Sequence, residues 1–212
     1  MSELVWPKNS EWPVFRSQQI LGDTVPDIYD QFNAPAIGKY WQWDFRNSRP
    51  MAKQKNGVLY LSGTTKSGNQ TGIALTSRPV SDSFVMGVTV LNSNAALKGL
   101  VFYGDANTAL GIGTQNDKVI LWQVRDNKFS ILEQASIIGK SSIDLRLELN
   151  KDKTCKFYYK QGNNNWKPLI SADSVKAVSL SQWDRSPRAG IHFKGDENLN
   201  AQFAEFNIKN DR

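Results

Sequence analysis

The 212 residues hold one cysteine and one histidine. One of each falls short of the four nitrogen and sulfur ligands of a structural zinc site, which excludes zinc of that kind. A lone cysteine closes no disulfide within the chain, and none is required, because folding at this length hides about two-thirds of the surface the unfolded chain exposes. Cys155 lies in the run TCKFYYK, where alternation with aromatic and basic residues reads as a buried, inert thiol. No apolar stretch approaches the roughly 18 residues of a helical membrane span. The formal charge is +6, yet no four basic residues are consecutive, and the cations are mixed with acids and asparagines along the chain. Nucleic-acid binding needs a clustered basic face with stacking aromatics beside it, and that pattern is missing. The opening MSELVWPKNSEWP has neither the basic n-region nor the apolar h-region of a secretory signal. It reads as the start of a cytoplasmic chain, or of a mature or excised fragment whose leader or upstream domain is absent.

No segment keeps a helical apolar period over three turns, so helix content is expected to be low, with short helices only around Asn92 to Leu97 and Ala172 to Ala177. What the chain does have is a succession of β-rich runs separated by Gly, Asn, Asp, Ser and Lys. YWQWDF, GVLYLSG, TGIALTSRP, SFVMGVTVL, KGLVFYG, KVILWQV, IDLRLELN and RAGIHFKG are examples, and about twelve to fourteen strands are expected. Residues 1–26 carry Pro7, Pro13, Pro26, Trp6 and Trp12 and read as an extended arm or linker. Residues 27–212 read as one all-β domain. In IDLRLELN, Ile143, Leu145, Leu147 and Leu149 face one way, while Asp144, Arg146 and Glu148 form a solvated charge ladder on the other. In AQFAEFNIKN, Phe203, Glu205 and Asn207 share one parity, opposed by Ala204, Phe206 and Ile208. Gln115 to Lys118 and Arg125 to Lys128 read as tight turns, since Asn and Asp tolerate left-handed backbone. Lys160 to Trp166 reads as a hairpin end anchored by its tryptophan.

Catalytic patterns are sparse. A Ser-His-Asp arrangement would need His192 as its base; in RAGIHFKGD it reads first as a strand residue on the polar face, with sugar contact and base catalysis as alternatives. Jelly-roll glycosidases carry paired acids a short fixed step apart on one strand, and no Glu-x-Asp-x-x-Glu or Glu-x-Asp-x-Glu run occurs here. Tryptophan is the unusual residue, with seven copies. Aromatic rings stack on the apolar face of a pyranose when strands or loops present them to solvent. Trp41 and Trp43 share parity and are expected to be buried. Trp122 shares parity with Ile120 and Val124, which puts it inside or on the concave face. Trp183, in the polar stretch LSQWDRSPR, is the expected exposed platform, with Tyr103, Arg78 and Gln115 supplying hydrogen bonds.

The stretch DIYDQFNAPAIGKYWQWDF at 27–45 resembles the opening of the concanavalin A-like domain at the C-terminus of glycoside hydrolase family 43 β-xylosidases and arabinofuranosidases. The matching positions are Asp30, Phe32, Gly38, Trp41, Gln42, Trp43 and Asp44. The likeness continues in order through GVLYLSG, TGIALTSRP, KGLVFYGDANTALGIG, IDLRLELNKDKTCKFYYKQGNNNWKPL and RAGIHFKGDENLNAQFAEFNIKN; laminin G-like carbohydrate modules share the closing strands. The resemblance implies a two-sheet antiparallel jelly-roll sandwich that accompanies a catalytic propeller, whose three acidic catalytic residues are absent from this chain. It also implies a calcium ion held between the first and last strands by Asp30 and the position of Asn207. An amide in place of a carboxylate lowers the charge that calcium affinity follows, and Glu205 shares the parity needed to compensate.

The sequence therefore points to a non-catalytic carbohydrate-binding or accessory domain for plant-polysaccharide breakdown, secreted or periplasmic, with a polysaccharide ligand and a catalytic propeller as partners. Ligand contacts are expected from Trp183, Trp122, Tyr103, Arg78, Gln115 and His192. The alternatives are a divergent glycosidase or polysaccharide lyase on the same fold, and a structural module that only packs on a partner.

Overall fold

The computed structural model describes residues 3–9, 11–16, 27–79, 81–91, 94–138, 142–169, 175–177, 180 and 186–211. Trp183 lies outside them. The strands are β1 (Glu3–Val5), β2 (Val14–Arg16), β3 (Ile28–Asp30), β4 (Ser48–Lys55), β5 (Val58–Thr65), β6 (Ile73–Ser77), β7 (Phe84–Val90), β8 (Leu97–Asp105) and β9 (Thr108–Gln115). They continue as β10 (Lys118–Arg125), β11 (Lys128–Ser136), β12 (Ile143–Leu149), β13 (Thr154–Gln161), β14 (Lys167–Pro168), β15 (Val175–Lys176), β16 (Arg188–Lys194) and β17 (Ala201–Asn210). Among the described residues there is no α-helix: Leu97 begins β8, Val175 and Lys176 form β15, and Ala172 to Ser174 lie outside the described residues.

Two antiparallel sheets form the sandwich. The six-stranded sheet runs β11-β10-β9-β8-β16-β6, and the larger one runs β14-β13-β12-β7-β17-β5-β4, with β15 on β13 and β3 on β17. β1 and β2 pair in a separate small ribbon, so part of the expected arm is a hairpin. Turn chemistry sets the register. Asp126 (φ 52°) and Asn127 (φ 59°) both take left-handed backbone in the two-residue loop between Arg125 and Lys128, the geometry that matches strand twist in a tight hairpin. Asn116 (φ 53°) serves the β9–β10 turn in the same way.

The inward faces supply one apolar core. Phe84, Met86, Val88 and Val90 of β7 meet Leu145 and Leu147 of β12, Phe203, Phe206 and Ile208 of β17, and Leu100, Ile112, Leu121 and Ile191 from the opposite sheet. β17 departs from the simple alternation read in its sequence. Its register against β7 shifts between Phe203, opposite Val90, and Glu205, opposite Thr89, so Ala204 is an extra residue on one strand. This bulge lets both Phe203 and Phe206 point inward, each fully buried, while Glu205, Asn207 and Lys209 point outward.

Asp30 closes the entry to the domain. Its carboxylate accepts the amide N–H of Phe32 (2.8 Å), the hydroxyl of Tyr40 and the indole N–H of Trp41 (2.9 Å). Trp41 in turn packs on Phe206 with ring centroids 4.8 Å apart. Burial, together with the hydrogen bond to Asp30 and its charge, drives the Tyr40 phenol far above its ordinary pKa, so it stays a donor. Trp43 escapes the burial expected from its shared parity with Trp41: residues 41–47 are a loop rather than a strand, and Trp43 is 42% exposed against 4% for Trp41.

Asp30→Ala orphans three donors at once and is expected to cost about 2 kcal/mol or more of unfolding free energy in urea titrations, against under about 0.5 kcal/mol for a surface control such as Lys53→Ala. Cys155 is fully buried, and burial pushes its thiol up to about 12. A disulfide-exchange reagent at neutral pH should therefore leave it unreacted in the folded protein and label it fully in denaturant.

Candidate functional site

The outer face of the larger sheet holds a trough. Small residues of β7, namely Val85, Gly87 and Thr89, form its floor. Long polar side chains on the two flanking strands form its walls. Glu205, Asn207 and Lys209 of β17 stand directly opposite Thr89, Gly87 and Val85 on one side. Asp144, Arg146 and Glu148 of β12 stand opposite the same three residues on the other. The walls are two strand spacings apart, about 10 Å between backbones, and Glu205 to Lys209 covers about 13 Å along the strand. The cavity holds about 450 Å³. Gly87 keeps its middle open, since a Cβ there would meet the Asn207 amide at 3.2 Å.

Trp166 caps the β12 wall and is 38% exposed. The Lys160 ammonium lies 5.1 Å from its ring centroid and the Arg146 guanidinium 6.0 Å; Arg146 also lies 5.7 Å from the ring of Tyr158. These cations are themselves fixed. Lys160 pairs with Asp144 at 3.2 Å, Arg146 pairs with Glu148 at 2.5 Å, and the Thr89 hydroxyl donates to Asp144 at 2.7 Å. The charge ladder expected on this face is thus a braced, half-buried wall that holds an indole at the rim. A second crevice of about 520 Å³, between Thr64, Asn69, Lys194 and Asp196, has only the buried Phe193 as an aromatic neighbour and offers no open ring.

The residues expected to bind ligand sit mostly elsewhere. Trp122, Tyr103 and His192 lie on the outer face of the six-stranded sheet, but all three are buried, Trp122 and His192 at 0% exposure. The Trp122 ring lies on Gly111, where a Cβ would meet it at 2.5 Å, and reaches His192 at 4.4 Å between centroids. Phe129 stacks at 5.7 Å. The Tyr103 hydroxyl donates to Asp44 at 3.0 Å, with the Arg188 guanidinium 5.4 Å from its ring. Burial of Asp44 works to raise its pKa, but hydrogen bonds from Asn47, Tyr103 and the Arg46 amide, with the charge of Arg188, outweigh it and hold the carboxyl below its ordinary range. Arg78 is exposed, and Gln115 is tied to the carbonyl of Ala95 at 2.9 Å. The structure thus gathers Trp122, His192 and Tyr103 in one cluster, beyond direct reach of solvent.

The three expected calcium ligands are not brought together. Asp30 faces the core opposite Phe206, with its oxygens already occupied, whereas Asn207 and Glu205 point to the outer face of the sheet. That donor set does not fit a calcium ion. Among the described residues no cluster of three or more His, Cys, Asp and Glu could hold a metal, and no helix is long and apolar enough to cross a membrane. Sequence reasoning passed over Gly87, Asn207 as a wall residue, and Trp166 as an open ring. The available signal was SFVMGVTV, whose outward positions are all small.

His192 is a titratable group that this packing perturbs strongly. Its Nε2 lies 2.6 Å from the Thr71 carbonyl, which can only accept, so Nε2 carries the proton and Nδ1 is bare. Burial, with the nearby charge of Lys194, pulls its pKa down to about 3 against the opposing bond to Thr71. The unfolded chain takes up this proton near pH 6.5 and the folded chain does not. Stability is therefore complete above that value and falls as pH drops towards 3, by at most about 1.4 kcal/mol per pH unit. His192→Gln is expected to flatten the melting temperature between pH 6.5 and 5, before most carboxylates titrate, in scanning calorimetry.

Comparison with known proteins places this architecture. Residues 29–195 match the profile of the β-xylosidase C-terminal concanavalin A-like domain. Among solved structures, a family 43 glycoside hydrolase (BlXynB) from Bacillus licheniformis is 17% identical with a TM-score of 0.68, over 93% of this chain and 41% of that one. A xylan β-1,4-xylosidase from Bacillus halodurans C-125 is 16% identical with a TM-score of 0.64, over 96% and 41%. An engineered family 43 hydrolase with both endo-xylanase and exo-arabinofuranosidase activity is 15% identical with a TM-score of 0.70, over 99% and 49%. The chain thus spans less than half the length of these proteins. No curated protein matches it. With its two antiparallel sheets and this profile match across most of its length, the chain belongs to the family of β-xylosidase C-terminal concanavalin A-like domains.

Proposed function

We propose that this chain is a non-catalytic accessory domain that holds xylan- or arabinan-type polysaccharide, outside the cytoplasm, for a catalytic propeller of glycoside hydrolase family 43. The observation that carries the reading is the trough on the larger sheet, with the half-open Trp166 ring at its rim. An aromatic face beside convergent hydrogen-bonding groups is what an oligosaccharide needs, because its rings present apolar C–H faces and its edges present hydroxyls. Family membership supports the association with such hydrolases, and two of the similar structures are described as acting on xylan or arabinofuranosides. The same trough gives little support to hydrolysis. Asp144 and Glu205 flank Thr89, but Asp144 is engaged by the Thr89 hydroxyl and the Lys160 ammonium. A general acid has to be free to meet a leaving group.

Isothermal titration of the chain against xylan, arabinan, β-glucan and pectic oligosaccharides tests this, with reducing ends assayed in the same mixtures. Saturable heat is expected with xylan or arabinan fragments and no new ends. Trp166→Ala should weaken binding at least about 10-fold, since stacking on an open ring contributes on the order of 1 kcal/mol beyond the area it buries. Release of new ends would make the chain an enzyme; absence of heat with every glycan would leave a module that only packs on its partner.

A further inference from the structure

We infer that the trough takes an internal stretch of a neutral polysaccharide, laid along β7 and read by the β17 wall; this rests on the carbohydrate-binding reading above. The two walls differ. On the β12 side the charges are spent on one another, Lys160 with Asp144 and Arg146 with Glu148. On the β17 side, the side chains of Glu205, Asn207 and Lys209 have no hydrogen-bond or ion-pair partner among the described residues. A fixed wall that presents a ring thus faces a wall that presents an unspent acceptor, an amide and an unspent donor in one row. Glu205 and Lys209 cancel in charge, so the free set matches a ligand with hydroxyl donors and acceptors and no net charge.

The geometry also sets the part of the chain that fits. Among the described residues, every lining residue except Trp166 lies on a strand, and none brings a loop side chain across either end of the floor that runs from Val85 to Thr89. A pocket for a chain terminus needs a closed end; a trough open at both ends accepts a segment that continues beyond it. Gly87 is the point of closest approach. The three atoms nearest to an added Cβ, at 3.2 to 3.6 Å, all belong to the Asn207 side chain, so a larger residue there meets the trough's own wall before it meets backbone.

The test uses the whole chain and linear xylo- and arabino-oligosaccharides from one to six sugars, each also in the borohydride-reduced form, with glucuronate-substituted xylan as the acidic comparison. Affinity should rise at least 10-fold between the monosaccharide and the length that fills the trough, then level off. Reduction of the longest oligosaccharide should change it less than 2-fold, and glucuronate substitution should give no gain. Gly87→Val should lose at least 10-fold in affinity with its melting temperature kept, and Asn207→Ala or Glu205→Gln about 3- to 10-fold. Equal affinity for the monosaccharide, loss of binding on end reduction, tighter binding of the acidic glycan, or wild-type affinity in both Gly87→Val and Asn207→Ala would each overturn the inference. Those outcomes all require measurable binding, so they stay distinct from failure of the parent reading, which is the absence of binding to any glycan.

Discussion

The single extra residue at Ala204 governs how this sandwich closes. Side chains on a strand alternate between faces, so without a bulge the residues after Phe203 would keep its parity. Glu205 and Asn207 would then enter the core, and Phe206 and Ile208 would face water. Burying a phenylalanine or isoleucine contributes about 1.5 to 3 kcal/mol, while burying an unpaired carboxylate costs several. The shifted register between Phe203 and Glu205 resolves the conflict at the one place where β17 leaves β5 and takes β3 as its neighbour. Core and trough wall come from the same event: Phe206 turns in to meet Trp41, and Glu205, Asn207 and Lys209 turn out in one row.

The two outer faces use one device with opposite results. On the six-stranded sheet, glycine at position 111 makes room for an indole from the next strand, and Trp122 fills that room completely. On the larger sheet, Gly87 stands between Arg146, which is paired with Glu148 along its own strand, and Asn207, whose amide lies 3.2 Å from where a Cβ would be. The first glycine is a socket and the second is a floor. This is why the tryptophan sharing parity with core residues ended in a closed cluster, and the tryptophan assigned to a hairpin end became the open ring.

Much of the fold was legible in the residues. Clean alternation in IDLRLELN gave one buried and one charged face, and Asp126-Asn127 supplied the two left-handed residues of a tight hairpin. The ordered series of weak motifs from Asp30 onward pointed to the family that the profile match shows. The site was less legible, because its parts come from distant segments. Gly87, Arg146, Trp166 and Asn207 are neighbours only through the order β13-β12-β7-β17, which a linear reading does not supply. Parity counting also failed at two identifiable places: at β17, where a bulge interrupts it, and at residues 41–47, where there is no strand to carry it.

The contrast between the walls bears on how tightly such a trough would hold a sugar. Ion pairs at a protein surface contribute little to stability, median about 0 to 1 kcal/mol, so the half-buried Asp144–Lys160 and Arg146–Glu148 pairs matter less for folding than for fixing where the Trp166 ring stands. A ring held in place before the ligand arrives avoids part of the ordering cost of binding. The free groups on β17 act differently, exchanging water for hydroxyls at nearly equal energy, so they discriminate between glycans more than they add affinity. On the proposed reading the result is weak, selective binding. Weak binding is enough when the trough is joined to a catalytic unit, because the second contact then forms at the effective concentration set by the linkage rather than at that of free substrate.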